Sequence, residues 1–153
     1  IGGREKPDRF FVSLEKYFIY DKDYRIYAAK KGSSVIGALL LFFGNGVVEY
    51  FVPATDAEYR ADQPLSYIIS TAMSYSISKG YKSWNWGGTW ASQTGVYRFK
   101  KKWGASEAEY KYHVHIGNPA LLCATQAILE ESYGYFYTTP YSLLKEESAN
   151  DKS

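Results

Sequence analysis

Val35 to Phe43 reads VIGALLLFF, a run with no charged or polar side chain, and it leads directly into Gly44-Asn45-Gly46. The run is far short of the ~20 residues that a membrane-spanning helix needs. It is also too uniformly apolar to leave either face in water, so it reads as a strand placed centrally in a sheet covered on both sides. Gly44-Asn45-Gly46 supplies the positive-φ residues of a tight hairpin, and Val47 to Val52 returns as an antiparallel strand that Pro53 is expected to terminate. Upstream, Tyr24 to Ala29 reads as a strand and Lys31-Gly32-Ser33 as a turn. Three strands therefore open as an antiparallel meander.

Helices flank this meander. Pro7 and Asp8 open a stretch in which Phe10, Phe11, Leu14, Tyr17 and Phe18 recur at helical spacing. After the meander, Asp62-Gln63-Pro64 is a helix start, and Leu65, Ile68, Ile69, Ala72, Met73 and Ile77 form an apolar stripe that ends at Gly80. Tyr81 to Trp86 reads as the next strand, and a crossover of this length favours a parallel neighbour. Ser92 to Trp103 reads as a helix, Glu107 to His115 alternates like a strand, and Pro119 to Glu131 reads as a last helix. The expected fold class is mixed α/β: a mixed antiparallel and parallel sheet with helices on both faces. A single domain over 1–144 and a polar tail over 145–153 are expected.

Composition narrows the function classes. With 18 basic and 16 acidic residues the chain has no broad electrostatic footprint for nucleic acid or a membrane surface. A single Cys123 rules out an internal disulfide and any cysteine-built zinc site, which fits a reducing compartment and the cytoplasm. His113 and His115 stand two apart, a spacing that metal sites use, but no third ligand lies nearby and no metal is expected. The 16 tyrosines and 4 tryptophans are a surplus that points to a cleft or an interface. The chain opens on Ile1 without a methionine and without a basic-then-apolar leader, as a piece of a longer natural protein would.

The densest chemical signal lies between Gly80 and Gly104. Tyr81-Lys82-Ser83-Trp84-Asn85-Trp86 ends in Gly87-Gly88-Thr89, where glycines let backbone and ligand approach closely. Asn85, Trp86, Gly87, Gly88 and Thr89 bring an amide, a ring and a hydroxyl to the end of a strand, where α/β sheets bind ligands. The rings of Trp84 and Trp86 serve equally well as core filling on one strand face. On the following helix, about 100° per residue puts Val96, Phe99 and Trp103 on the apolar face, Lys100 at its edge and Lys101 nearly opposite. Lys100 could stabilise developing charge in a transition state, or simply snorkel with its stem on the sheet. Arg98, Lys101 and Lys102 read as a solvated face, with phosphate contact as the runner-up. Glu49, on the third strand, is placed either as a general base or as an edge charge. Tyr50, Tyr97 and Phe99 complete the expected substrate contacts.

This element order resembles the GNAT superfamily of N-acyltransferases, and its details are most similar to the Fem-type branch of peptidoglycan-bridge aminoacyl and peptidyl transferases. The likeness covers roughly Pro7 to Gly117. It rests on the glycine hairpin, Tyr50 to Thr55, Gln63-Pro64-Leu65, Trp86-Gly87-Gly88, and above all Phe99-Lys100 followed by Trp103-Gly104. The resemblance implies a GNAT-like fold with a cleft for an acyl donor and an amine acceptor, with Lys100 and Glu49 as catalytic residues. Relatives that use acetyl-CoA cradle its pyrophosphate on a glycine-rich loop at a helix N-terminus. The matching segment here, Arg60-Ala61-Asp62-Gln63-Pro64-Leu65, has no glycine and one amide fewer. The Fem branch similarly lacks that loop, and the resemblance implies aminoacyl-tRNA or an acyl-CoA as donor, with Arg60 and Lys101 as donor-phosphate contacts and no tightly bound cofactor. It also implies that this domain is half of a two-domain protein, with a sister domain or a second copy as partner and no membrane insertion. Two further readings stand beside the transferase: a non-catalytic GNAT-like module that binds or packs against another domain, and an acetyl-CoA enzyme with a divergent loop.

Overall fold

A computed structural model describes residues 6–89, 93–109, 111 and 113–132. The chain divides into two compact units, Ile1–Ser106 and Glu107–Ser153. In the first unit, helix α1 (Asp8–Tyr17) precedes strands β1 (Tyr24–Lys31), β2 (Ser34–Gly44) and β3 (Val47–Thr55), a 3₁₀ segment (Ala57–Asp62), helix α2 (Pro64–Ser78), strand β4 (Ser83–Asn85) and helix α3 (Thr94–Lys102). The sheet order is β1-β2-β3-β4, antiparallel through β3 and parallel between β3 and β4. Asn45 and Gly46 take φ of 50° and 76°, the left-handed values that the hairpin needs.

Both faces of β2 are buried, as its composition requires. Leu39, Leu41 and Phe43 pack with Val48, Ile68, Ile69 and Ala72 on the α2 side. Leu40 and Phe42 turn the other way, to Leu14 and Phe10 of α1 and to Tyr24. Only part of the expected α1 stripe faces inward: Tyr17 and Phe18 are exposed, while Phe10 and Leu14 make the contact. On α2 the inward line is Pro64, Ile68, Ile69, Ala72 and Ser76, so Ile77, expected in the stripe, lies 74% exposed one residue further round the helix. Buried Ser76 is accommodated because its hydroxyl donates to the Ala72 carbonyl at 2.7 Å.

Pro53 does not end β3, which continues to Thr55 and stays paired with β2. Proline lacks only the N–H, and at this point no described strand lies on the other side of β3 to receive one. The register slips between Leu40 and Leu41, opposite Val52 and Tyr50, leaving Phe51 as an extra residue. Alternation resets there, and Phe51 and Val52 both meet the α1 side, with Phe51 stacked on Phe10 at 5.9 Å.

Gly37 sets how closely α2 docks. A Cβ at this position would lie 3.0 Å from Cβ and 3.3 Å from Cγ of Pro64. The proline ring is too stiff to swing aside, so Gly37→Ala is expected to cost about 1–2 kcal/mol net of the entropy alanine recovers. A urea midpoint unchanged from wild type would show that Pro64 yields freely.

In the second unit, Pro119–Cys123 forms a 3₁₀ turn and Gln126–Ser132 forms helix α4. The expected single helix from Pro119 is interrupted because Ala124 is extended, and Thr125 Oγ1 receives the Ile128 amide to start α4 afresh. The alternating stretch from Glu107 to His115 forms no strand among its described residues, which are exposed and have no described strand as partner. Alternation alone does not make a strand without a ladder to join. The tyrosine-rich segment from Tyr133 lies outside the described residues. Among the described residues no helix is long and apolar enough to cross a membrane, and no three His, Cys, Asp or Glu side chains gather as a metal site.

Candidate active site

β4 runs beside β3 for only three residue pairs, Val47 with Ser83, Val48 with Trp84 and Glu49 with Asn85. From Tyr50 onward no described strand accompanies β3 on that side, and the chain after β4 enters a turn at Gly87. The ladder ends there, although Gly87 stays close to β3, a Cβ on it lying 3.8 Å from the Tyr50 carbonyl oxygen. The expected strand from Tyr81 to Trp86 is shortened to Ser83–Asn85, the three residues that pair with β3, while the Tyr81 and Lys82 amides go to the Ser76 and Gly46 carbonyls.

The turn at the end of β4 is built by Asn85. Its Oδ1 accepts from the Gly87 amide at 2.9 Å, an Asx-turn, and its Nδ2 donates to Glu49 Oε1 at 3.1 Å. Gly87 takes φ of 67°, a conformation that a side chain would strain. On the core side, the Trp86 ring packs with Tyr50 at 5.1 Å, Trp84 at 5.7 Å, Phe99 at 6.3 Å and Trp103 at 6.2 Å. Trp86, expected as a ligand-stacking ring, is therefore also the ring on which α3 docks. Burial pushes the Tyr50 phenol far above its ordinary value, so it stays a neutral hydroxyl.

α3 then delivers Lys100. Phe99 and Trp103 fix the helix on Trp86, and Gly104, at φ of 80°, closes its C-terminal end with its amide on the Lys101 carbonyl. With the helix held there, Lys100 Nζ donates to the Gly87 carbonyl at 3.2 Å, the Gly88 carbonyl at 2.9 Å and Thr89 Oγ1 at 2.8 Å. An ammonium has three N–H groups, and here all three have acceptors on the glycine turn. Burial lowers the Lys100 pKa from its ordinary value.

Glu49 stands opposite Phe42 in the ladder, hence on the α1 face, whereas Trp84 stands beside Val48 on the α2 face. Glu49 and Lys100 therefore approach the glycine turn from opposite faces of the sheet. They meet at Gly87, whose N–H donates to the Asn85 side chain that also holds Glu49, and whose carbonyl, in the next peptide unit, accepts from Lys100. Of the remaining expected residues, Tyr97 is 42% exposed on α3, with the Lys101 ammonium 5.9 Å from its ring centre. Arg60 lies in the 3₁₀ segment before α2, its carbonyl receiving the Gln63 amide at 3.2 Å. Asp62 beside it accepts from Lys31 Nζ at 2.7 Å. Asp62 stands just ahead of α2, where the helix N-terminus favours a carboxylate.

A FemAB family profile matches residues 21–116. The chain belongs to the FemAB family. Among curated protein sequences, none matches it. Solved structures similar to this FemAB chain share its fold. AAC(6')-Iy, solved with the bisubstrate analogue CoA-S-monomethyl-acetylneamine, is 17% identical with a TM-score of 0.59, over 72% of this chain and 80% of that one. An aminoglycoside acetyltransferase from an uncultured soil metagenomic sample, solved with sisomicin, is 12% identical with a TM-score of 0.57, over 76% and 79%. A ribosomal-protein-alanine N-acetyltransferase from Brucella melitensis biovar Abortus 2308 is 8% identical with a TM-score of 0.55, over 73% and 83%. The fold is the GNAT fold, and this FemAB chain is an acyltransferase of that type.

Proposed function

We propose that this chain transfers an acyl or aminoacyl group to the amine of an acceptor, with the reacting carbonyl seated beside the glycine turn. The observation that carries this reading is the glycine turn held by the Lys100 ammonium at the point where the β3–β4 ladder ends. The amine attacks the acyl carbonyl, the tetrahedral oxyanion forms near the ammonium, and the donor's thiol or ribose hydroxyl leaves. Since the N–H groups of Lys100 are committed to the turn, its contribution is fixed positive charge. Glu49 is the group proposed to take the amine's proton, and Tyr50, Thr89, Tyr97 and Phe99 are proposed to line the acceptor's path.

The start of α2 bears on the donor. Pro64 has no N–H, Gln63 is left-handed, and the Asp62 carboxylate sits where a pyrophosphate would need amides. Those features favour a donor held elsewhere, such as aminoacyl-tRNA contacted by Arg60 and Lys101, while the fold shared with a CoA-analogue-bound enzyme favours acyl-CoA. A cell-wall peptide amine is the acceptor class that family membership supports. Binding assays with acetyl-CoA and with aminoacyl-tRNA, followed by transfer to a peptide amine, test the reading. Binding of charged tRNA should weaken steeply with salt. Failure of both donors to bind would leave a non-catalytic module in its place.

A further inference from the structure

We infer that Asn85 is a positioning residue whose side-chain amide ties the Glu49 carboxylate to the Gly87 N–H, and so fixes the turn whose Gly87 and Gly88 carbonyls hold the ammonium of Lys100. The inference rests on the transferase reading but concerns a residue otherwise expected to touch substrate. An amide N–H needs an acceptor and a carboxylate needs a donor, and Asn85 meets Gly87 with the first at 2.9 Å and Glu49 with the second at 3.1 Å. Asparagine is the one side chain of that length carrying a donor and an acceptor on the same carbon. Its amide orientation is fixed by those two partners rather than free to flip. On the other side of the Gly87 Cα, in the next peptide unit, the Gly87 carbonyl accepts from Lys100 at 3.2 Å, so the backbone of this one residue is held from both sides. Among the described residues, the titratable group bonded to Asn85 is Glu49 on β3, and the one bonded to the turn it builds is Lys100 on α3; on the β2 side Glu49 stands opposite Phe42, which carries none.

Three variants of the whole chain separate this role from plain packing. Asn85→Ala should speed hydrogen exchange of the Gly87 amide at least tenfold and move the NMR titration midpoint of Lys100 Nζ downward, since the turn that carries the ammonium's acceptors is no longer fixed. Asn85→Asp keeps an acceptor for Gly87 but sets a second carboxylate against Glu49, and two such groups must share a proton. Gly87 protection should then fall as pH rises through the upper midpoint of that pair, a dependence the wild type lacks. In Glu49→Gln/Asn85→Asp the donor and acceptor are exchanged, and protection should return without that pH dependence. Unchanged Gly87 exchange and Lys100 titration in a natively folded Asn85→Ala would overturn the inference. If Asn85→Ala does not fold, equal protection in Asn85→Asp and the double variant would overturn it instead. None of these readouts uses a donor or acceptor, so a chain inactive in every transfer assay would defeat the transferase reading and leave this one standing.

Discussion

Lys100→Met is expected to lower the rate of acyl transfer roughly a hundredfold, the size of effect produced by removing one preorganised charge-stabilising group. Methionine keeps much of the aliphatic stem that lies against the sheet, so α3 should stay docked through Phe99 and Trp103 on Trp86. What disappears is the ammonium that holds the carbonyls of Gly87 and Gly88 and the hydroxyl of Thr89. Two of those bonds are solvent-exposed, so water replaces the lost partner and the cost in stability is only about 1 kcal/mol. Lys100→Arg should not restore activity, because a planar fork cannot aim its N–H groups at three acceptors gathered round one nitrogen. A wild-type rate in the methionine variant would show that the lysine only covers the sheet.

The same residue gives a pH signature. Burial makes the native amine give up its proton below the ordinary lysine value of 10.5. Between that lowered midpoint and 10.5 the unfolded chain binds more protons, so Lys100 makes stability rise with pH across this window. Below it both states are protonated, and the native state bears the desolvation in full. Urea midpoints of wild type and Lys100→Met, compared across the alkaline range, should therefore diverge in favour of wild type as pH rises.

Those features of the fold that depend on local periodicity were legible in the sequence. The doubly buried β2, the Asn45-Gly46 hairpin, the α2 start at Pro64 and the parallel β4 all follow from spacing and turn chemistry. Features that depend on three-dimensional register were not. Whether Ile77 or Ser76 faces the sheet is decided by how α2 lies across it, and Ser76 can be buried because its hydroxyl bonds within its own helix. Pro53 continues a strand because that edge has no described partner, a fact of topology. At the site, the sequence placed Asn85, Gly87 and Lys100 in one neighbourhood, and the family resemblance added Glu49 as a catalytic residue, but neither gave the face of the sheet from which Glu49 reaches Asn85. Only the Asx-turn was written locally, in an asparagine two residues ahead of a glycine.

Ile69→Ala should lower the stability of the first unit by about 3–4 kcal/mol, a large part of what a domain of this size has. The side chain is 0% exposed and belongs to the cluster formed by Leu39, Leu41, Val48, Ile68 and Ala72, which joins α2 to β2 and β3. Truncation leaves a cavity between a helix and a sheet that is covered on its other face by α1, so neither side can collapse to fill it. Ile77→Ala is the matched control: with 74% of the side chain exposed, its change should stay within about 0.5 kcal/mol, helped by alanine's helix propensity. Equal losses from the two variants, measured by urea unfolding, would mean that α2 is rolled on the sheet relative to this register. That outcome would reach the active site as well, because Val48 in the same cluster is the neighbour in β3 of both Glu49 and the β4 residue Trp84.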